Sequence, residues 1–183
     1  IFLLKPDGNS AVAWTPKVGT NWQEVDDVPG TPDDATTENA DTGNNSIDDL
    51  TLTNAPAEMG SGDDPILVHV AGRQYTSAGD SMQYRFTDDL SSLTSGASWV
   101  PGSSYEITPT DNAVVVDISS KSKANIDSFL VGYKRTSGGP GAKVFVTAVW
   151  VNVEWIEATP AGQQRRSQTI ITRNRSPLRH PGA

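Results

Sequence analysis

Cysteine is absent from this 183-residue chain, so neither a disulfide nor a thiolate-bound metal contributes to its fold. Histidine occurs only at His69 and His180, which leaves too few residues for a histidine-based catalytic triad or a clustered metal site. For His69 we expect an ordinary strand residue that faces solvent or a polar partner. No Gly-x-Ser-x-Gly motif lies between a strand and a helix. We therefore expect a protein that is not an enzyme and holds no cofactor.

Long apolar runs and helical periodicity are also missing. No run approaches the roughly 18 residues of a membrane span, so we expect no membrane partner. The apolar start, Ile1-Phe2-Leu3-Leu4, is too short for a signal-peptide core, and because it lacks Met we expect processing or truncation there. Short alternating runs of β-branched and aromatic residues recur instead between clusters of Gly, Pro, Asn and Asp, which indicates strands.

Nine such runs predict an all-β fold, an antiparallel β-sandwich of jelly-roll or Greek-key type. The inward phase changes within the last run, which predicts either two covered faces or a bulge. Within the core we expect Val68, Val70, Val115, Val151 and Val153. The predicted strands are Ile1–Lys5, Ala11–Thr15, Asn21–Val25, Leu50–Thr53, Ile66–Arg73, Met82–Thr87, Ala113–Ile118, Phe129–Arg135 and Lys143–Ile156.

Only Ser122–Ser128 has a helical pattern, with Ser122 as the N-cap of a single turn that carries Ile126. The segments Pro29–Asp48 and Ser91–Ser103 are rich in Asp, Asn, Gly and Ser. We predict that both are loops at the ends of the sandwich.

Acidic residues are confined to the first 157 positions. That part contains nine basic and 22 acidic residues, a net charge of −13, whereas the last 26 residues contain five arginines and no acid. The stretch Thr159-Pro160-Ala161-Gly162 ends the last strand, and the polar residues after it cannot form a core. We therefore divide the chain into a β-sandwich domain, 1–157, and an extended basic C-terminal arm, 158–183.

The arm is long enough, at roughly 85 Å when extended, to reach a neighbouring molecule. Its arginines can pair with carboxylates, and the acidic domain of another copy supplies many. Nucleic acid is a weaker candidate because no aromatic residue lies among the arginines. We predict an assembly role for the arm, with Ile170 and Ile171 supplying apolar burial on an open sheet edge. Its candidate residues are Arg165, Arg166, Ile170, Ile171, Arg173, Arg175 and Arg179.

Two kinds of ligand site are the alternatives. Trp99 lies in a Gly/Ser/Pro-rich loop, where a free tryptophan could stack on a glycan, whereas we assign the other four tryptophans mainly to the core or to subunit contacts. Paired aspartates could hold calcium, and Asp41–Asp49 is the most loop-like candidate, although its spacing is not that of an EF-hand. A carboxylate pair for glycoside hydrolysis is a weaker signal still, because the fold sets its separation.

Several stretches resemble one family. The opening "LLKPDGNSAVAWTPKVGTNWQEVDDVPGTPDDATT" has a strand, a Lys-Pro-Asp-Gly turn, a tryptophan segment and an acidic loop. The later stretches "LTLTNAP", "ILVHVAGR", "MQYRF", "NIDSFLVGYKRTSGG" and "KVFVTAVWVNVEW" continue the pattern. Over residues 3–156 the chain resembles small jelly-roll-like β-sandwich virion structural proteins of tailed phages and prophages. The resemblance implies that Asn125–Lys134 and Val144–Trp155 form a terminal hairpin.

From these observations we predict a non-enzymatic virion structural protein on the particle surface. It would be a capsid decoration (cement) subunit or a tail-associated subunit. Its expected partners are copies of itself and other virion proteins. The alternatives are a carbohydrate-binding adhesion module and a subunit of an extracellular filament.

Overall fold

The computed structural model describes residues 1–28, 31, 39–41, 43, 45–60, 62–87 and 93–158. The arm beyond Ala158 lies outside these residues, and so does most of the acidic loop before Asn39. In chain order the described strands are β1 (Phe2–Leu4), β2 (Pro6–Ala11), β3 (Thr15–Pro16), β4 (Asn39–Asp41), β5 (Ile47–Leu52), β6 (Asp64–Thr76), β7 (Ser81–Thr87), β8 (Leu93–Ser95), β9 (Glu106–Ile107), β10 (Val114–Asp117), β11 (Leu130–Ser137) and β12 (Val144–Ile156).

The strands form two antiparallel sheets with jelly-roll topology. In sheet A, β6 and β12 pair with each other at the centre. Strands β10 and β9 pair with the other side of β6, and strands β1 and β4 pair with the other side of β12. Strand β3 extends the sheet by pairing with β4. Sheet B has the order β2-β5-β11-β7-β8. The order β1-β12-β6-β10 in one sheet and β5-β11-β7-β8 in the other is that of two interleaved Greek keys. The predicted jelly-roll sandwich is therefore confirmed.

The core lies between the sheets and contains residues from Leu4 to Val153. Val68, Val70, Val151 and Val153 are fully buried, as predicted. The prediction for Val115 is wrong: its side chain is 51% exposed. Three consecutive valines in β10 fit either strand phase, and the observed phase turns Val114 and Val116 toward the core and Val115 outward.

The predicted strand Ala11–Thr15 is wrong because the chain leaves the sheet after Ala11 and joins the other sheet only at Thr15. The Asp48 carboxylate explains the interruption. It accepts hydrogen bonds from the backbone N–H groups of Ala13 (2.7 Å) and Trp14 (2.8 Å), which then cannot donate to a neighbouring strand. The Trp14 ring is buried and packs edge-on against Tyr133, with 4.8 Å between the ring centroids.

The predicted strand Asn21–Val25 is also wrong, since Asn21–Glu24 form a 3-10 helix and Trp22 therefore lies on a helical turn. Thr20 and Gln23 have the spacing of a capping box, and the Gln23 side-chain oxygen accepts a hydrogen bond from the Thr20 backbone N–H at 3.2 Å. The predicted helical turn is confirmed as α1 (Lys123–Ile126), with Ser122 as its N-cap and Ile126 buried. The described helices span at most four residues, too few to cross a membrane.

The other predicted strands differ from the observed ones mainly at their ends. Strand β2 was predicted only at Ala11, and β9 was not predicted. The Lys-Pro-Asp-Gly turn is wrong, because Pro6, Asp7 and Gly8 begin β2.

The predicted loops Pro29–Asp48 and Ser91–Ser103 contain β4, the start of β5 and β8 in their described parts, so they are not wholly loop. A register shift between Val146 and Ala148 confirms the bulge alternative for the last run. The implied terminal hairpin is wrong, because β11 lies in sheet B and β12 in sheet A.

Two connections between the sheets meet at one end of the sandwich. Residues 77–80 join β6 to β7, and residues 138–143 join β11 to β12. Between them, Arg135 Nη2 lies 3.2 Å from Asp80 Oδ1, with both side chains only 1% exposed, and Arg135 also donates to the Gly139 carbonyl. A Cβ at Gly138 would overlap both charged groups. The buried ion pair therefore fixes both connections.

Candidate functional site

The two outer faces of the sandwich differ in chemistry. On sheet B the outward residues are mainly polar and partner one another. Arg85 forms an ion pair with Asp49 at 3.0 Å across Gly132, whose missing side chain lets the two groups meet over β11. At the edge, the Thr51 hydroxyl donates to Asp7 at 2.7 Å. This face has the composition of a solvent-facing sheet.

The outer face of sheet A is richer in exposed apolar groups. The register places Val115, His69, Asn152 and Leu3 in one row across four strands. His69 Nε2 lies 3.3 Å from Glu154 Oε1, so the expected polar contact of His69 is present. The exposed hydrophobic side chains assigned to this face by register are Leu3, Ile107, Val115 and Ile156. These side chains make the outer face of sheet A the more apolar of the two outer faces.

Aromatic side chains occupy the other end of the same face. The rings of Tyr75 and Phe145 are parallel, with centroids 4.3 Å apart, and Tyr105 contacts Tyr75 edge-on at 4.6 Å. The Arg73 guanidinium lies 5.5 Å from the Tyr105 centroid. Stacking of Tyr75 on Phe145 covers one face of each ring, so those two ring faces are closed to a sugar. The cluster was not predicted, because its members come from separate segments of the chain.

The Trp99 side chain is held by contacts with the core, contrary to our expectation of a free tryptophan in a loop. Its backbone N–H and carbonyl both bond to Met82, at 2.9 and 2.8 Å, and its ring lies 5.8 Å from that of buried Tyr84. Its indole N–H donates to Glu106 Oε1 at 3.3 Å. The ring is partly buried against the core, and its role as a glycan contact stays a prediction.

The proposed calcium loop has two of its aspartates engaged elsewhere. Asp48 is fully buried; besides the two backbone donors, it accepts hydrogen bonds from Asn21 Nδ2 (2.6 Å) and the Tyr133 hydroxyl (3.1 Å). Burial raises the pKa of Asp48, and these four hydrogen bonds oppose the rise. Burial likewise raises the pKa of Asp49, and Arg85 opposes it. Among the described residues no group of three or more His, Asp or Glu is placed to hold a metal.

Strand β10 lies at an edge of sheet A. It pairs with β6 along its whole length and, within the described part of the chain, with no other strand. It contains no proline and no bulge, the two features that usually protect an edge. Acidic residues flank it: Asp111 precedes it and Asp117 ends it, and both are exposed. Hydrogen bonds from Ser119 lower the pKa of Asp117, which keeps this carboxylate charged.

The root of the arm lies at the same end of sheet A as Asp117. The backbone N–H of Ala158 donates to Asp63 Oδ1 at 2.6 Å, directly before β6 begins. The seven arm residues that we singled out, from Arg165 to Arg179, lie outside the described residues. The structure therefore describes Ala158, the first residue of the predicted arm, and the contacts of the later residues stay predictions.

Comparisons with known proteins give only weak likenesses. No protein-family model and no curated protein matches the chain. The N-terminal cellulose-binding domain of Cellulomonas fimi β-1,4-glucanase C is 8% identical over 72% of this chain and 85% of that chain, with a TM-score of 0.39. The Tobacco streak virus coat protein is 10% identical over 87% of this chain and 94% of that chain, with a TM-score of 0.34. Neither likeness identifies a function for this chain.

Proposed function

We propose that the protein is a non-enzymatic structural subunit of a virus particle and assembles through its C-terminal arm. The observation that carries the proposal is the division of charge: a domain of net charge −13 is joined to a segment with five arginines and no acid. The polar residues that follow Thr159-Pro160-Ala161-Gly162 cannot form a core of their own, which favours a role in contacts with other molecules. Opposite charges on the two parts favour contact between copies.

The finer assignment is a capsid decoration or cement subunit, or a tail-associated subunit, on the surface of a tailed-phage particle. It is supported by the family resemblance over residues 3–156 and by the jelly-roll topology, which recurs in viral capsid domains and also in lectins. Because one fold serves many functions, the charge division matters more than the topology. Copies of the chain and other virion proteins are its partners in this proposal.

A carbohydrate-binding module is the second candidate, favoured by the aromatic cluster of Tyr75, Tyr105 and Phe145 on an outer sheet face. Sugar binding there requires a ring face open to solvent, which the stacked pair offers only on its outer sides. A glycan array probed with the full chain separates the two candidates. Specific binding that is lost in Tyr105→Ala, but not in the sheet B variant Gln83→Ala, would favour the second.

Replacing both isoleucines of the arm by aspartate, Ile170→Asp with Ile171→Asp, is expected to prevent assembly. Burial of an isoleucine contributes roughly 1.5–3 kcal/mol, more than the 0–1 kcal/mol of one exposed ion pair. Each lost isoleucine should therefore weaken association by about 10- to 150-fold. Sedimentation velocity at physiological salt measures the effect.

The matched control is Thr169→Asp with Thr172→Asp, which adds the same charge to the same segment but keeps both isoleucines. This variant should assemble with a smaller defect that reflects charge alone. Equal assembly by the isoleucine variant and the full chain would refute a connecting role for the arm.

A further inference from the structure

The assembly role proposed for the arm raises the question of which surface on a neighbouring copy receives it. An extended segment such as Thr169-Ile170-Ile171-Thr172 binds most readily by adding a strand to an open sheet edge. Main-chain hydrogen bonds then supply affinity, and alternate side chains contact the two faces of the sheet.

Most of the described edges are poorly suited to this pairing. Edge strand β2 has two register shifts and lies against the 3-10 helix, while β3 has only two residues, one of them Pro16. Strands β1 and β8 have three residues each, and β9 has two. Strand β10 has four residues, an unbroken register and an exposed valine at its centre. The geometry points to β10 as the acceptor.

Charge on both segments fits this pairing. Arg166 and Arg173 flank the two isoleucines of the arm, seven residues apart, and Asp111 and Asp117 flank β10, six residues apart. Asp117 ends β10 itself, and Asp111 lies in the 3-10 helix Thr110–Asn112 just before it, so both ends of the edge are acidic. The nearest cations along the chain, Lys121 and Lys123, follow Asp117, and Lys123 is held by the carbonyls of Ala55 and Pro56.

We propose that residues 169–172 of one copy add to β10 of a neighbouring copy as an extra strand of sheet A. One of the two isoleucines then lies beside Val115 on the outer face, and the other points toward the opposite face of the sheet. This inference rests on the proposed assembly function and adds to it the identity of the acceptor.

Disulfide trapping tests the pairing directly, because the chain has no cysteine of its own. Full-length Val115→Cys is mixed under oxidising conditions with full-length Ile170→Cys or, separately, with full-length Ile171→Cys. Since successive residues of a strand point to opposite faces, only one of the two arm positions should form the mixed disulfide efficiently. The matched control is Ser95→Cys, an exposed outward position on edge strand β8 of sheet B.

Docking raises the effective concentration of the arm at β10, so we expect the favoured arm position to yield about tenfold more mixed disulfide with Val115→Cys than with Ser95→Cys. Equal yields at both acceptor sites, or a predominance of Val115→Cys homodimers, would overturn the inference. If the full chain assembles while these yields are equal, only the acceptor assignment fails. If the full chain stays monomeric, the assembly function fails with it.

Discussion

Replacing Arg135 by methionine is expected to destabilise the fold by about 3–5 kcal/mol, because it leaves the Asp80 carboxylate buried without its cation. Both side chains are 1% exposed, and their pair lies where the two connections between the sheets meet. The loss should therefore affect both connections at once. Urea unfolding followed by tryptophan fluorescence measures the change in the free energy of unfolding.

The neighbouring substitution Lys134→Met is the control, since Lys134 lies on the outward side of the same strand and keeps part of its side chain in solvent. It should change the free energy of unfolding by no more than about 0.5 kcal/mol. The double variant Arg135→Met with Asp80→Leu should recover much of the lost stability, because the unpaired charge is removed. A loss below about 1 kcal/mol in Arg135→Met would show that the pair does not anchor the connections.

Replacing Asp48 by alanine is expected to destabilise the protein by about 4 kcal/mol, since it leaves several buried donors without an acceptor. The Asp48 carboxylate is the only partner described for the backbone N–H groups of Ala13 and Trp14, and it also holds the side chains of Asn21 and Tyr133. Its loss should release the segment between β2 and β3. Hydrogen exchange should become faster at Ala13 and Trp14.

The control is Asp7→Ala, because Asp7 is exposed and its carboxylate accepts one described side-chain hydrogen bond, from Thr51. It should alter stability by only about 0.5 kcal/mol. If Asp48→Ala is as mild as Asp7→Ala, or if protection at Ala13 and Trp14 is unchanged, Asp48 does not organise this segment.

The sequence predicted the sandwich because most central strands bury one face and their apolar residues alternate accordingly. Where the alternation of apolar residues was ambiguous, the predicted inward face of the strand was wrong. The three valines of β10 fit either phase, and Val115 was assigned to the wrong one. The capping-box spacing of Thr20 and Gln23 was a usable signal for the 3-10 helix, and it was overlooked.

The buried polar contacts could not be predicted from patterns within short stretches of the sequence. Asp48 was assigned to a loop at the end of the sandwich that could hold calcium, yet its donors lie 27 to 85 residues away in the chain, at Asn21 and Tyr133. Asp80 and Arg135 are likewise brought together only by the fold. The open edge at β10 depends on strand order, which alternation along one strand does not encode. By contrast, the charge of the arm is local in sequence, so its assembly role was predicted from the residues and still stands as a prediction.

The most direct measurement of the central claim is the sedimentation coefficient of a chain that ends at Glu157, compared with that of the full chain at the same concentration and salt. Every residue of the described core is retained, so the shortened chain should unfold at nearly the same temperature as the full chain. We predict that the full chain sediments as an assembly and that the shortened chain sediments as a folded monomer. Assembly of the shortened chain to the same size as the full chain would contradict the claim that residues 158–183 connect the subunits.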